Sequence, residues 1–135
     1  MIRGKEGVRM IELTDSLEDY LESIYLLEKR NGCVGVTDIA KDLGLSKPSV
    51  NKAVNILKAE GLLIQKRYGK IKLTELGADL AKDVYFRHES LMNFLVDDIG
   101  IDPKIAESEA CKIEHIISKD SLCKIISYAK KNRKY

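Results

Sequence analysis

The 135-residue chain has no tryptophan, only two prolines, two histidines and three cysteines, and aromatic residues make up 6% of it. Each scarcity excludes something. The cysteines, Cys33, Cys111 and Cys123, form no CxxC pair and no regular spacing, which argues against a disulfide-stapled secreted domain and against a structural zinc knuckle. No stretch approaches the roughly 20 apolar residues of a membrane span, and the amino-terminal MIRGKEGVRM lacks the apolar core of a signal peptide. A cytoplasmic location is expected. With only Pro48 and Pro103 to interrupt it, and no low-complexity tract or internal repeat, most of the chain is expected to be helical. Against these absences stand 44% hydrophobic and 33% charged residues, enough for a core beneath a charged surface, in one compact domain or one domain with a small appended subdomain that acts as one functional unit.

The periodicity divides the chain. Leu17, Leu21, Ile24 and Tyr25 recur at helical spacing, with Tyr20 alongside, and predict a first helix that opens on an Asp15/Glu18 capping box and ends near Asn31-Gly32. A second helix is expected to start with Thr37 as N-cap, to bury Ile39, Ala40 and Leu43, and to stop at Gly44. Ser46 then caps a third, which tolerates Pro48 in its first turn and buries Val50, Val54 and Leu57 before Gly61. Two helices joined by a tight glycine turn read as a helix-turn-helix. Beyond it the period changes to two: Leu63-Ile64-Gln65-Lys66 and Ile71-Leu73 flank the Arg67-Tyr68-Gly69-Lys70 tip of a hairpin, a wing. A long helix is expected from Glu75 to Asp97, buried along Leu76, Leu80, Val84, Leu91 and Leu95, and its end is marked by Gly100 and Pro103. Two further helices follow from Lys104, one through Ile113, Ile116 and Ile117, the other through Leu122, Ile125, Ile126 and Ala129. Their apolar stripes are generous for so short a tail, which points to burial by a second subunit.

Charge is segregated along this frame. The net charge is only +2, yet Ser46–Leu73 holds seven basic residues, Lys47, Lys52, Lys58, Lys66, Arg67, Lys70 and Lys72, against Glu60, a local charge of +6. The first helix, by contrast, carries Asp15, Glu18, Asp19, Glu22 and Glu28. A basic face on a helix-turn-helix with a wing meets DNA phosphates. The third helix offers Ser46, Lys47, Ser49, Asn51 and Lys52 to a major groove, with Pro48 for a thymine methyl, while Lys66, Arg67 and Lys70 on the wing grip the backbone. Isolated lysines would only solvate a surface; their concentration on this combination of elements carries the DNA reading.

A second constellation involves both histidines. Cys111, Glu114 and His115 stand at i, i+3 and i+4 and so project from one helical face, and Asp19 and Glu22 are likewise i and i+3 on the first helix. His88 continues the apolar run of Leu80, Val84 and Leu91, which turns it inward, where an imidazole needs a partner. Alone, each has a plainer role: a hydrogen-bonded core histidine, a solvated acidic face, a small buried thiol. Together they make a candidate metal site.

These segments, LTDSLEDYLESIYLL, VTDIAKDLGLSKPSVNKAVNILKAEGLL, YFRHESL and EACKIEH, resemble the diphtheria-toxin-repressor family of metal-dependent transcriptional regulators, in particular its short manganese-transport-regulator branch. The resemblance implies a mainly α protein, with a winged helix-turn-helix bearing a two-stranded wing over residues 1–74, a connecting helix over 75–97 and a helical dimerisation domain over 98–135. It further implies a homodimer on double-stranded DNA with a palindromic operator, and a divalent co-repressor, Mn(II) or Fe(II), with Co(II) or Zn(II) able to substitute. Asp19, Glu22, His88, Glu114 and His115 match the ligands of the manganese branch. Cys111 departs from that branch, which carries a glutamate there; the iron-responsive branch has cysteine in an EAC segment like Glu109-Ala110-Cys111. The iron branch's ancillary site is incomplete, with Met92 in place of a carboxylate and Glu107 in place of a histidine. On the residues alone three other readings stay open: a winged-helix regulator that senses an organic ligand or thiol oxidation through Cys111, a small metallohydrolase with Glu114 or Glu22 as general base, and a helical carboxy-terminal part that only dimerises and holds no metal.

Overall fold

A computed structural model describes residues 13–132. The amino-terminal MIRGKEGVRM and the last three residues of the basic Lys124–Tyr135 tail lie outside them. The chain is mainly helical and forms two compact units, one up to Lys82 and one from Asp83. Among the described residues, no helix is long and apolar enough to cross a membrane.

In the first unit, α1 (Asp15–Asn31), α2 (Val36–Leu43) and α3 (Lys47–Ala59) enclose a core of Leu21, Ile24, Ile39, Val50, Val54 and Leu57, each essentially inaccessible to solvent. The caps differ from the sequence reading by one and two residues. Thr14, not Asp15, opens α1, its Oγ1 accepting from the Leu17 N–H at 3.1 Å. Gly35, not Thr37, opens α2, where Asp38 reaches back to accept from the Gly35 N–H at 2.8 Å. In both places several polar residues stand close together, and the one in extended conformation just before the first helical turn takes the role. Gly44 has φ +67°, the left-handed conformation that lets α2 stop and α3 begin three residues later. Ser23, buried on α1, donates to Asp42 on α2 at 2.7 Å and ties the first helix to the helix-turn-helix.

The wing is a hairpin of β1 (Leu63–Gln65) and β2 (Ile71–Leu73), antiparallel with Ile64 opposite Lys72. Its second strand is held on the outer edge as well, because the Ile71 N–H donates to the Val34 carbonyl at 2.8 Å. Leu63, Ile71 and Leu73 point into the core, and Ile64 and Lys72 point out, as the alternation requires.

Helix α4 (Glu75–Asn93) carries the chain from the first unit into the second. Leu76, expected on its buried stripe, is 42% exposed. The register is set instead by Gly77, where any Cβ would overlap the Leu62 backbone carbonyl, and by the wholly buried Ala81. The helix ends earlier than its apolar periodicity implied and continues through residues 94–99 as a wider π-helical turn closed by Gly100 at φ +85°. Helices α5 (Pro103–Ile116) and α6 (Lys119–Asn132) complete the second unit around Leu91, Ala110 and Leu122. Ile116, expected inside, is 80% exposed. Phe86, Ile99, Ile105 and Tyr128 are exposed too, apolar area of the kind that a second subunit covers.

Candidate metal centre and DNA-binding face

The second unit gathers an acid, two imidazoles and a thiol. On α5, a ligand atom from each of Cys111, Glu114 and His115 lies within 4.8 Å of the others, since the i, i+3, i+4 spacing puts them on one face. From α4, His88 meets Glu114 across the unit, Nδ1 to Oε1 at 2.6 Å. The other ring nitrogen lies 3.2 Å from Glu107 Oε1. Sequence reading assigned Glu107 no part in this cluster, although it lies seven residues before Glu114 and so on the same face of α5. His88 and Glu114 are both buried, and Glu114 is 1% exposed. Arg87 Nε closes the corner by donating to the Glu114 main-chain carbonyl at 3.0 Å.

The hydrogen bond to Glu114 raises the His88 pKa against the opposing effect of burial, and the charges of Glu114 and Glu107 raise it further, to about 9. An imidazolium therefore sits between two carboxylates at neutral pH. The group's ordinary value is 6.5. Because the folded-state pKa lies above it, the pairing stabilises the metal-free chain fully below pH 6.5, and the contribution disappears as pH rises through about 9. Chemical denaturation of the metal-free protein between pH 6 and 10 is expected to show this decline; a Glu114→Gln variant with the same slope would assign it elsewhere.

The donor set fits a divalent cation. Glu114 Oε2 is buried and makes no hydrogen bond among the described residues; His115 Nε2 lies 3.6 Å away, within reach of an ion pair but beyond a hydrogen bond. A buried carboxylate oxygen in that position is costly unless a cation answers it. Carboxylate, imidazole and thiolate together are first-row transition-metal ligands. Asp19 and Glu22 stand three residues apart on α1 in the first unit, both half-buried.

The DNA-binding candidates fall in the first unit. Lys47, Pro48, Ser49, Asn51 and Lys52 are exposed along the first two turns of α3, and Lys66, Arg67 and Lys70 are exposed on the wing. Ser46 is occupied as a cap: its Oγ accepts from the Ser49 N–H at 3.3 Å and its hydroxyl donates to Ser49 Oγ at 3.0 Å. Asn55, exposed one turn beyond Asn51 and Lys52, extends the same face and was missed in the sequence reading. Two of the seven cations, though exposed, have partners within the fold: Lys58 donates to Gln65 of the wing at 3.0 Å, and Lys72 pairs with Glu28 at 3.5 Å. Ser46→Ala is expected to cost about 1 kcal/mol of stability, whereas Lys66→Ala on the wing leaves stability alone and lowers the salt dependence of DNA binding by about one ion. Thermal unfolding and binding at several salt concentrations separate the two effects.

Known proteins share this arrangement. Residues 12–71 match the sequence model of the iron-dependent repressor N-terminal DNA-binding domain, and residues 74–134 match that of the iron-dependent repressor metal-binding and dimerisation domain. An HTH-type transcriptional regulator of Methanocaldococcus jannaschii is 38% identical over 111 residues, which span 82% of this chain and 89% of that protein. The HTH-type transcriptional regulator MntR of Bacillus subtilis is 38% identical over 112 residues, covering 83% of this chain and 78% of MntR. Among solved structures, the manganese regulator SloR superposes with a TM-score of 0.77 at 27% identity, covering 87% of this chain and 55% of the SloR chain, so the chain spans little more than half of that protein's length. With a DNA-binding domain and a metal-binding dimerisation domain matched in order along nearly its whole length, the chain belongs to the iron-dependent repressor family of transcriptional regulators.

Proposed function

We propose that this chain is a homodimeric repressor that binds a palindromic operator when a divalent metal is plentiful, and so controls genes of manganese or iron homeostasis. It is a regulator without catalytic activity. The observation that carries the reading is the buried Glu114 carboxylate, set among His88, Cys111 and His115 with one oxygen that accepts no hydrogen bond among the described residues, in a chain whose other unit presents a basic helix-turn-helix and wing.

His88, Cys111, Glu114 and His115 would hold the ion, with Asp19 and Glu22 of α1 completing the set. A bound divalent ion supplies positive charge and fixed coordination directions at these side chains. In its absence the His88 imidazolium supplies part of that charge to Glu114 and Glu107, and this proton must leave when His88 becomes a ligand. Ligands drawn from α1 as well as α4 and α5 would limit the freedom of the DNA-binding unit. Two recognition helices in a dimer must fall about 34 Å apart to enter successive major grooves, so restricting that freedom favours DNA binding without any metal contact to DNA.

Cys111 bears on the choice of metal. Carboxylate and imidazole suit Mn(II) and Fe(II), whereas a thiolate favours Fe(II), Co(II) and Zn(II). The test is fluorescence anisotropy on operator DNA with chelator, Mn(II), anaerobic Fe(II), Co(II) and Zn(II), for the native chain and Cys111→Glu. Activation by Fe(II) above Mn(II), moving toward Mn(II) in the variant, assigns a thiolate-tuned iron sensor. Equal activation by Mn(II) in both proteins assigns a manganese regulator that tolerates the cysteine, and no response to any metal overturns the reading.

A further inference from the structure

The tip of the wing holds a residue that its own turn does not favour. Tyr68 has φ 61° and ψ 26°, and Gly69 beside it has φ 74°. These two successive left-handed residues lie in the three-residue loop Arg67–Gly69, which the register of the strands closes at Lys66 and Lys70. The left-handed conformation favours glycine, which has no Cβ to crowd the neighbouring carbonyl oxygen, and tolerates asparagine or aspartate, whose short polar side chains hydrogen-bond the local backbone. Tyr68 is the one non-glycine residue with positive φ among the described residues.

Packing does not account for it either. The tyrosine is 94% exposed, the most exposed of the large apolar and aromatic side chains described, so its ring adds nothing to the core. The surrounding hairpin is otherwise well made. The Lys66 N–H donates to the Lys70 carbonyl at 2.6 Å, the Gly69 N–H donates to the Lys66 carbonyl at 3.1 Å, and Gln65 Nε2 donates to the Gly69 carbonyl at 3.4 Å. An unfavourable backbone conformation at a residue with no task inside the fold points to a task outside it.

Its neighbours indicate the partner. Lys66, Arg67 and Lys70 surround the tip in sequence and all are exposed. Cations that grip phosphates on either side would bring the tip against a groove, where an aromatic ring covers deoxyribose and base edges and a phenolic hydroxyl can donate to a phosphate. We infer that Tyr68 is a DNA-contacting residue at the tip of the wing, its ring set against a groove wall between the phosphates held by Lys66, Arg67 and Lys70. This inference rests on the DNA-binding reading above.

The two possible roles of Tyr68 give opposite signs in one variant. Tyr68→Asn supplies a residue that the left-handed conformation tolerates, so the melting temperature of the full chain is expected to rise. Operator affinity is expected to fall about tenfold, since a single aromatic contact with a nucleotide is worth roughly that factor or more. The salt dependence should stay that of the native chain, because no cation is removed. Tyr68→Phe keeps the ring and is expected to retain most of the affinity. The native chain in the same metal-loaded buffer is the control. If it binds the operator and Tyr68→Asn binds equally well, the inference fails while the DNA-binding reading stands; if the native chain does not bind, both fail.

Discussion

Replacing Glu114 with glutamine is expected to abolish the metal response of operator binding. Allosteric coupling of this kind changes affinity by about 5- to 150-fold, and the variant is expected to lose all of it while keeping the affinity of the metal-free native chain. The reason lies in the cluster. Glu114 is buried, contacts His88 directly and lies 3.6 Å from His115, and its second oxygen accepts no hydrogen bond among the described residues. A neutral amide of the same shape fits the cavity but lacks the charge that holds a divalent cation. The DNA-facing residues of α3 and the wing are untouched, so baseline binding should persist. Anisotropy titrations with and without metal measure both quantities. A variant that still responds fully would remove Glu114 from the metal site.

The second large effect concerns stability. Gly77→Ala is expected to destabilise the DNA-binding unit by about 3 kcal/mol, at the upper end of the cost of overpacking, and to lower its melting temperature by more than about 10 °C. A Cβ there would overlap the Leu62 carbonyl, which is backbone and cannot swing aside. The same carbonyl accepts from the Thr74 N–H at 3.0 Å, while Thr74 Oγ1 donates to the Gly61 carbonyl at 2.7 Å and accepts from the Gly77 N–H at 3.1 Å. The first turn of α4 is thus fastened to the segment between α3 and the wing, and moving the helix away breaks the fastening. Ala78→Gly, one residue along, is expected to cost only about 1 kcal/mol from helix propensity. Denaturant unfolding of both variants decides whether position 77 is special.

How much of this was legible in the sequence depended on whether the governing interaction was local. Gly44 and Ser46 punctuate the chain unambiguously, one by its left-handed backbone and the other by its capping hydroxyl, so the helix-turn-helix was readable residue by residue. The wing was readable from the change of period at Leu63–Leu73. The first two N-caps were displaced because neighbouring polar residues compete and only the backbone conformation decides. Leu76 and Ile116 were misplaced for a different reason: hydrophobicity says that a side chain prefers burial, not that a surface is present to bury it. On α4 the close approach of a glycine and an alanine set which face turns inward.

The metal site was half legible. Spacing alone placed Cys111, Glu114 and His115 on one helical face, and the apolar run turned His88 inward. What spacing cannot supply is the contact between His88 and Glu114, 26 residues apart, or the approach of Glu107 to the other ring nitrogen. Both depend on how α4 and α5 pack, and that packing converts a list of candidate ligands into a buried, charged cluster.

The most direct test of the account is a single reversible titration. The chain is bound to labelled operator DNA in the presence of Mn(II) or anaerobic Fe(II), a chelator is added in excess, and the metal is then restored. The operator affinity read from the anisotropy is expected to fall at least about fivefold on chelation and to recover on restoration. Binding that is indifferent to both additions would contradict the claim that a metal held by the Glu114 cluster governs the grip on DNA.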